Sequence, residues 1–356
     1  MNANFPFDKK PPLWLYWEND PQEFGALRPE YINLCYETIK RQCGNSFTVI
    51  QLSPENLYTY LPRLRRDLDF KCTLQQKRDY IKLELLSIYG GAWVNSDVIM
   101  LQDLAPYINV LQKHDFVGFG CHFKNCRKRQ NGFPQPASWV MLSRPNGVLM
   151  TYARNRARWI LDNSPQDLYI GDILGRNLLW KCIATLTANT PSWRYYHVNS
   201  FCLERDSVGR QFTNERMLLN ETITKECVYR ISFIPLNQNV SDFPFPDWFL
   251  KMSQEEILEM GDLFIVKLFR WSLLDETPLS AFPEERNPSA LYSSSQLVSS
   301  TQLNFSNCGS EEIFNANGKI IRPPTNLRPV EKCELSYSGV PNQANDDMYY
   351  QHTFSQ

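Results

Sequence analysis

Residues 76–100 read QKRDYIKLELLSIYGGAWVNSDVIM and hold the side chains best placed to do chemistry. Asp79 and Lys82 stand three apart, a spacing that puts both on one face of a helix. Asn95 and Asp97 stand two apart and point to the same side of an extended segment. A carboxylate beside an amide oxygen suits a hard divalent cation such as Mg²⁺ or Mn²⁺, which also accepts water and phosphate oxygens. A protein that offers one or two such ligands leaves the remaining positions to a substrate diphosphate. Asn-Ser-Asp after an apolar run is also a common turn, so spacing alone leaves both readings open.

The surrounding elements must deliver these groups. Thr73–Tyr89 has helical periodicity, with Tyr80, Leu83 and Ser87 on one stripe and Ile81, Leu85 and Ile88 on the next. Gly90-Gly91 ends that helix, as glycine past a helix terminus does. Ala92–Val94 then reads as a very short strand, followed by Asn95-Ser96-Asp97 and by apolar Val98–Met100. The oxygens therefore emerge at the carboxyl end of a strand, where α/β sheets place ligands. Upstream, Leu13–Trp17 reads as a buried strand, Glu18–Arg28 as a loop, Pro29–Cys43 as a helix and Ser46–Leu52 as a strand. That order opens a parallel sheet. Ser53 is expected as an N-cap with Pro54 at the first helical position. Downstream, Phe116–Phe119 and Ser138–Leu142 read as strands, and Gly147–Ile160 and Gly171–Ile183 as helices. A last core element lies within Gly261–Leu274, centred on LFIVKLF. There is no GxGxxG and no GxxxxGK[ST], so dinucleotide-fold and P-loop readings have no local support.

Residues 12–150 resemble the capsular-polysaccharide-synthesis and DXD-sugar glycosyltransferases, relatives of yeast-type mannosyltransferases and glucosylating toxins. Their pattern is a helix with S/A-D-x-x-R, then Y-G-G-x-[WY]-x-D-x-D. Asp79 stands at the helix aspartate, Lys82 at the arginine, Gly90-Gly91 at the glycine pair, Trp93 at the aromatic and Asp97 at the second DXD aspartate. Asn95 replaces the first DXD aspartate, and Lys82 keeps the charge of arginine without its bidentate fork. The resemblance thins over 151–275 and does not reach the tail. It implies a GT-A-like fold: one Rossmann-type mixed α/β sheet flanked by helices. It also implies transfer of a hexose from a nucleoside-diphosphate sugar to a saccharide hydroxyl, with retention. The implied catalytic residues are Asp79, Lys82 and Asp97. Asp97 and Asn95 are the implied ligands of Mn²⁺ or Mg²⁺. Donor contacts are expected from Trp17 (stacking on the base), Asp79, Lys82, Asn95, Ser138 in the segment QPASWVMLSRPNG, and Lys267. For each there is a plainer reading: Asp79 and Lys82 as a helix-surface pair, Trp17 as core, Lys267 as a lysine reaching to solvent.

Composition bounds the alternatives. The chain has 356 residues and a net charge of −1, with 37 Lys+Arg against 38 Asp+Glu, which argues against a nucleic-acid partner. Hydrophobic residues make up 43%, enough for a sizeable core. The 47 aromatics suggest sugar and base contacts around Trp17, Trp93 and Trp139. No run of about 18 apolar residues and no basic-then-apolar leader occurs, so a cytoplasmic protein without a transmembrane segment is expected. Its ten cysteines are then reduced, and the glycosylation sequons at Asn220, Asn239 and Asn304 are idle. Cys121, His122 and Cys126 match no standard zinc spacing. Lys124, Arg127, Lys128 and Arg129 form a basic loop that could meet a phosphorylated acceptor or a membrane surface, or simply be solvated. Gly171-Asp172 could supply an acceptor-side carboxylate or a helix start. None of the four histidines (114, 122, 197, 352) is placed as a general base. From residue 276 to 356, Ser, Asn, Gln and Pro dominate, so a catalytic domain over 1–275 with a polar extension is expected. The rival from another class is a decayed sugar- or nucleotide-binding protein on the same fold, marked by Asn95; a glycoside hydrolase has no support beyond abundant acids and aromatics.

Overall fold

The computed structural model describes residues 9–19, 28–120, 136–163, 173–190, 193, 195–199, 212–221, 232–236 and 245–274, with three short strands beyond. In chain order the elements are β1 (Pro12–Tyr16), α1 (Glu30–Cys43), β2 (Thr48–Leu52), α2 (Leu57–Tyr60), α3 (Leu68–Lys71) and α4 (Leu74–Ile88). Then come β3 (Gly91–Val94), β4 (Val98–Met100), α5 (Ala105–Val110), β5 (Phe116–Gly120), β6 (Val140–Ser143), α6 (Val148–Asn163) and α7 (Arg176–Asn189). They are followed by β7 (Tyr195–Asn199), α8 (Asn214–Met217), β8 (Phe233–Pro235), α9 (Asp247–Leu250), α10 (Gln254–Glu259) and α11 (Phe264–Leu274).

Six strands form one sheet in the order β2-β1-β3-β6-β5-β7. β1 runs parallel to β2 and β3, and β5 runs parallel to β7. β6 runs antiparallel to both its neighbours, β3 and β5. The fold is thus built on one mixed α/β sheet flanked by helices, as expected from the sequence. β4 leaves this sheet and pairs antiparallel with β8. Beyond Leu274, where the expected domain division lies, only β9 (Leu303–Phe305), β10 (Glu312–Phe314) and β11 (Ile320–Ile321) are described, as a three-stranded antiparallel sheet.

Strand alternation explains the layers, because successive side chains leave opposite faces. Leu13, Leu15 and Trp17 join Ala92, Val94, Val117 and Phe119 against α1 and α11. Trp14, Tyr16, Trp93, Phe116 and Met141 face the other way, toward α4, α6 and α7. Both faces are therefore covered, which makes every residue of β3, β4, β5 and β6 buried. The helices are anchored by specific polar contacts. Thr73 and Gln76 form a capping box at the start of α4. Asp115 accepts the backbone N–H groups of Val148 and Leu149 at the start of α6, each at 2.9 Å, and the Trp193 indole N–H at 3.0 Å. Arg158 of α6 grips the buried Glu84 of α4 with two parallel bonds of 2.8 and 2.9 Å.

Three local expectations change. Residues 53–56 form a turn and α2 starts at Leu57, because the Asn56 amide bonds back to the Ser53 N–H and the Gln51 carbonyl. The helix expected from Gly171 starts at Arg176, after a turn over 173–175. Asn95-Ser96-Asp97 is not extended; residues 96 and 97 form a tight turn between β3 and β4. Asn, Ser and Asp are turn formers, and here that tendency overrides strand alternation.

Candidate functional site

The site is built where α4, the glycine pair and the β3–β4 turn meet. Gly90 and Gly91 have φ of +64° and +86°, a region that side chains disfavour. A Cβ on Gly90 would lie 2.4 Å from the Pro145 nitrogen, and one on Gly91 would lie 2.1 Å from the Pro12 carbonyl oxygen. The Trp14 indole N–H donates to the Gly90 carbonyl at 2.9 Å. The reversal from α4 into β3 is therefore fixed by both sterics and hydrogen bonding.

The turn after β3 is held from three sides. The Asn95 N–H donates to the Trp139 carbonyl at 2.8 Å. The Ser96 hydroxyl donates to the Tyr16 carbonyl at the end of β1 at 2.6 Å. The Leu236 N–H, after β8, donates to the Asp97 carbonyl at 2.7 Å. Asp97 is partly buried at this turn. Burial pushes its carboxyl up to about 6, opposed by hydrogen bonding and by the positive charges of Arg78 and Lys82.

Asp79 and Lys82 do share a face of α4, but that face is inside: the residues are 2% and 3% exposed. The Lys82 ammonium lies 2.6 Å from Asp79 Oδ1 and donates to the Ser138 carbonyl at 3.0 Å. It also sits 5.4 Å from the centre of the Trp93 ring. Gln75 donates to the second Asp79 oxygen at 3.1 Å. The helix-surface reading of this pair is thereby excluded.

Asn95 is oriented by its neighbours. The Trp93 indole can only donate, and it donates to Asn95 Oδ1 at 2.8 Å. The amide NH₂ is then the group left to act on the Asp97 carboxyl, where it favours the charged form. A chain of contacts thus runs from Asp79 through Lys82 and Trp93 to Asn95, in the turn that carries Asp97.

Trp17 is 9% exposed and belongs to the core; its N–H donates to Asn19 Oδ1 at 2.6 Å. Trp93 is also fully buried, so its ring serves packing and its N–H serves Asn95. Lys267 stands apart from this cluster: it donates to Asn220 Oδ1 at 2.9 Å and to the Glu221 carbonyl at 3.0 Å. Ser138 meets the site through its backbone carbonyl.

Arg78 escaped the sequence reading. It is one helical turn before Lys82, and that i,i+4 spacing was the available signal. Tyr16, Glu18 and Lys77 form an adjoining network, with Tyr16 Oη donating to Glu18 at 2.6 Å and Lys77 to Glu18 at 2.8 Å. Burial and Glu18 hold the Tyr16 phenol well above its ordinary range.

Among the described residues, no group of three His, Cys, Asp or Glu side chains could hold a metal ion. The donor set at Asp97 is one carboxylate with an amide NH₂ turned toward it. That fits a cation arriving with an anionic substrate rather than a closed protein cage. Cys121, His122 and Cys126, the basic loop, Gly171-Asp172, residues 20–27 of the expected loop, and the Asn239 sequon lie outside the described residues. The four described cysteines, Cys35, Cys43, Cys72 and Cys182, are free thiols. No helix among the described residues is long and apolar enough to cross a membrane.

A family model described as capsular polysaccharide synthesis protein matches residues 2–215. The chain belongs to this family. The match spans α4, the glycine pair and the β3–β4 turn, so the whole Asp79–Asp97 cluster of this capsular polysaccharide synthesis protein lies inside it. No curated protein matches the chain in sequence. Among solved structures, PaToxG glycosyltransferase is 9% identical with a TM-score of 0.36, over 49% of this chain and 69% of that one. The glycosyltransferase GlyE of Streptococcus pneumoniae TIGR4 is 11% identical with a TM-score of 0.36, over 71% of this chain and 63% of that one, less than two thirds of its length. The galactosyltransferase LgtC, solved with donor and acceptor sugar analogs, is 9% identical with a TM-score of 0.32, over 77% of this chain and 98% of that one.

Proposed function

We propose that this chain is a glycosyltransferase that moves a hexose from a nucleoside-diphosphate sugar to a saccharide hydroxyl in polysaccharide or glycan synthesis, with retention. One observation supports this most directly. In a chain of the capsular polysaccharide synthesis family, three backbone and hydroxyl contacts pin the β3–β4 turn and so present Asp97 beside the buried Asp79–Lys82 pair. Asp79, held by Lys82 and Gln75, keeps free lone pairs for donor sugar hydroxyls. Asn95 orients the Asp97 carboxylate. Asp97 would hold Mg²⁺ or Mn²⁺ beside the donor diphosphate, and such a cation would supply neutralisation of charge on the leaving nucleotide. Retention fits a site in which no His or carboxylate among the described residues is placed as a general base.

The test is nucleotide release from a panel of nucleotide sugars with Mn²⁺ and mixed saccharide acceptors, using purified protein and Asp97→Ala. Release by the wild type and its loss in the variant support the proposal; a wild type that binds no donor overturns it. One structural detail favours a second reading, a donor-binding protein without turnover: position 95 turns an amide NH₂, not a second oxygen, toward Asp97. Donor binding without release across the acceptor panel is its signature.

A further inference from the structure

Helix α4 carries three cations near the site, and two of them are committed. Lys77 pairs with Glu18 at 2.8 Å and with Asp69 at 2.5 Å. Lys82 pairs with Asp79 at 2.6 Å and also bonds the Ser138 carbonyl. Arg78 is different. It forms no ion pair with a carboxylate among the described residues. Its sole hydrogen bond there runs from Nη2 to the Glu18 carbonyl at 3.0 Å. Its Nε is buried and has no hydrogen-bond partner among the described residues. The side chain as a whole is only partly buried, and Nη1 is not among the buried unpaired atoms.

The position of this group is informative. The guanidinium carbon lies 5.4 Å from the centre of the Trp17 ring. Its charge also acts on the Asp97 carboxylate. Arg78 therefore flanks the core Trp17 ring at the end of β1 and bears on the expected cation ligand, Asp97, within reach of a diphosphate bound there. Lys82, one turn further along the same face, is 3% exposed and has already spent its donors on protein oxygens.

We propose that Arg78 binds the diphosphate of the donor, setting its guanidinium fork across phosphate oxygens. The assignment rests on the nucleotide-sugar reading of the site and names a donor-binding residue that the sequence pattern does not mark. An arginine suits the task because its planar fork matches phosphate geometry in a two-pronged contact. Nη1, which has no hydrogen bond among the described residues, supplies one prong without breaking any bond there.

The experiment compares Arg78→Gln and Arg78→Lys with the wild-type full chain by titration calorimetry at fixed Mg²⁺. The probes are UDP, GDP, ADP and CDP, each beside its nucleoside without phosphates. For the diphosphate that the wild type binds, Arg78→Gln weakens affinity about 10- to 100-fold, the worth of a charge-assisted contact. Arg78→Lys loses less, because charge survives and the fork does not. Nucleoside affinity stays within about twofold in both variants, which a general loss of structure would not produce. Equal diphosphate affinity in all three proteins, or equal losses for diphosphate and nucleoside, overturns the assignment while leaving the donor site standing. A wild type that binds none of the diphosphates overturns the nucleotide-sugar reading itself. If Arg78→Gln does not fold, Arg78→Lys carries the same comparison.

Discussion

Replacing Lys82 by Met removes an ammonium 2.6 Å from Asp79 Oδ1 while keeping a stem of similar length against Trp93. The Asp79 side chain is 3% exposed, so bulk water compensates little for the lost partner. Gln75 alone remains as a donor to that carboxylate. Removing one member of a buried pair costs about 3–5 kcal/mol, chiefly because the other charge is stranded. At roughly 2–4 °C per kcal/mol for a domain of this size, the midpoint falls by roughly 6–20 °C. Asp79→Asn alone strands the Lys82 ammonium and is costly for the same reason. The double variant Asp79→Asn with Lys82→Met leaves no unpaired charge, so its loss is well below the sum of the single losses. Thermal and urea melts of the four proteins at neutral pH measure the cycle. A Lys82→Met midpoint within about 2 °C of wild type, with additive effects in the double variant, would refute the claim that the pair is buried and coupled.

Further outcomes follow from single contacts. Asp97 has a folded value of about 6 against an ordinary 3.8, so the native state binds more protons between those values. The Asp97 contribution to stability therefore falls as pH rises through that window and levels off above it, by up to about 3 kcal/mol. Asp97→Asn lacks this slope, and melts across pH 3.5 to 7.5 will show it; parallel curves would sink the argument. Gly90→Ala places a Cβ 2.4 Å from the Pro145 nitrogen at φ +64°, and costs at least about 1–2 kcal/mol in urea melts. Arg158→Ala strands the buried Glu84 and loses two charge-assisted bonds, lowering stability by about 2 kcal/mol; an unchanged midpoint would place that clamp in solvent.

Much of the fold was legible because periodicity and punctuation agreed. The Leu13–Trp17 run, the Pro29–Cys43 stripe and the Gly90-Gly91 stop each correspond to an observed element at nearly the expected bounds. The ends of α2 and α7 were not legible, since an Asn56 side chain folding back and a turn over 173–175 leave no periodic trace. At the candidate site, the sequence marked the segment but not its local geometry. Asn95 and Asp97 meet because a turn folds them together, not because strand alternation aligns them. The burial of Asp79 and Lys82 was hidden as well: every residue from Asp79 to Ser87 is buried, so α4 carries no polar face there to distinguish. The aromatic excess reads differently too, because Trp14 and Trp93 are among the largest fully buried side chains. Their indole N–H groups set the Gly90 carbonyl and the Asn95 amide rather than meeting a sugar.

The most direct test of the central claim, that Asp97 and its neighbours form a donor site, is a thermal-shift panel of nucleoside-diphosphate sugars with Mn²⁺. At about a hundred times its dissociation constant, a bound donor adds about 2.7 kcal/mol, a rise of roughly 5–10 °C in the midpoint. The account predicts such a shift for at least one donor in the wild type and its loss in Asp97→Ala. No shift with any donor, or an equal shift in both proteins, would contradict it.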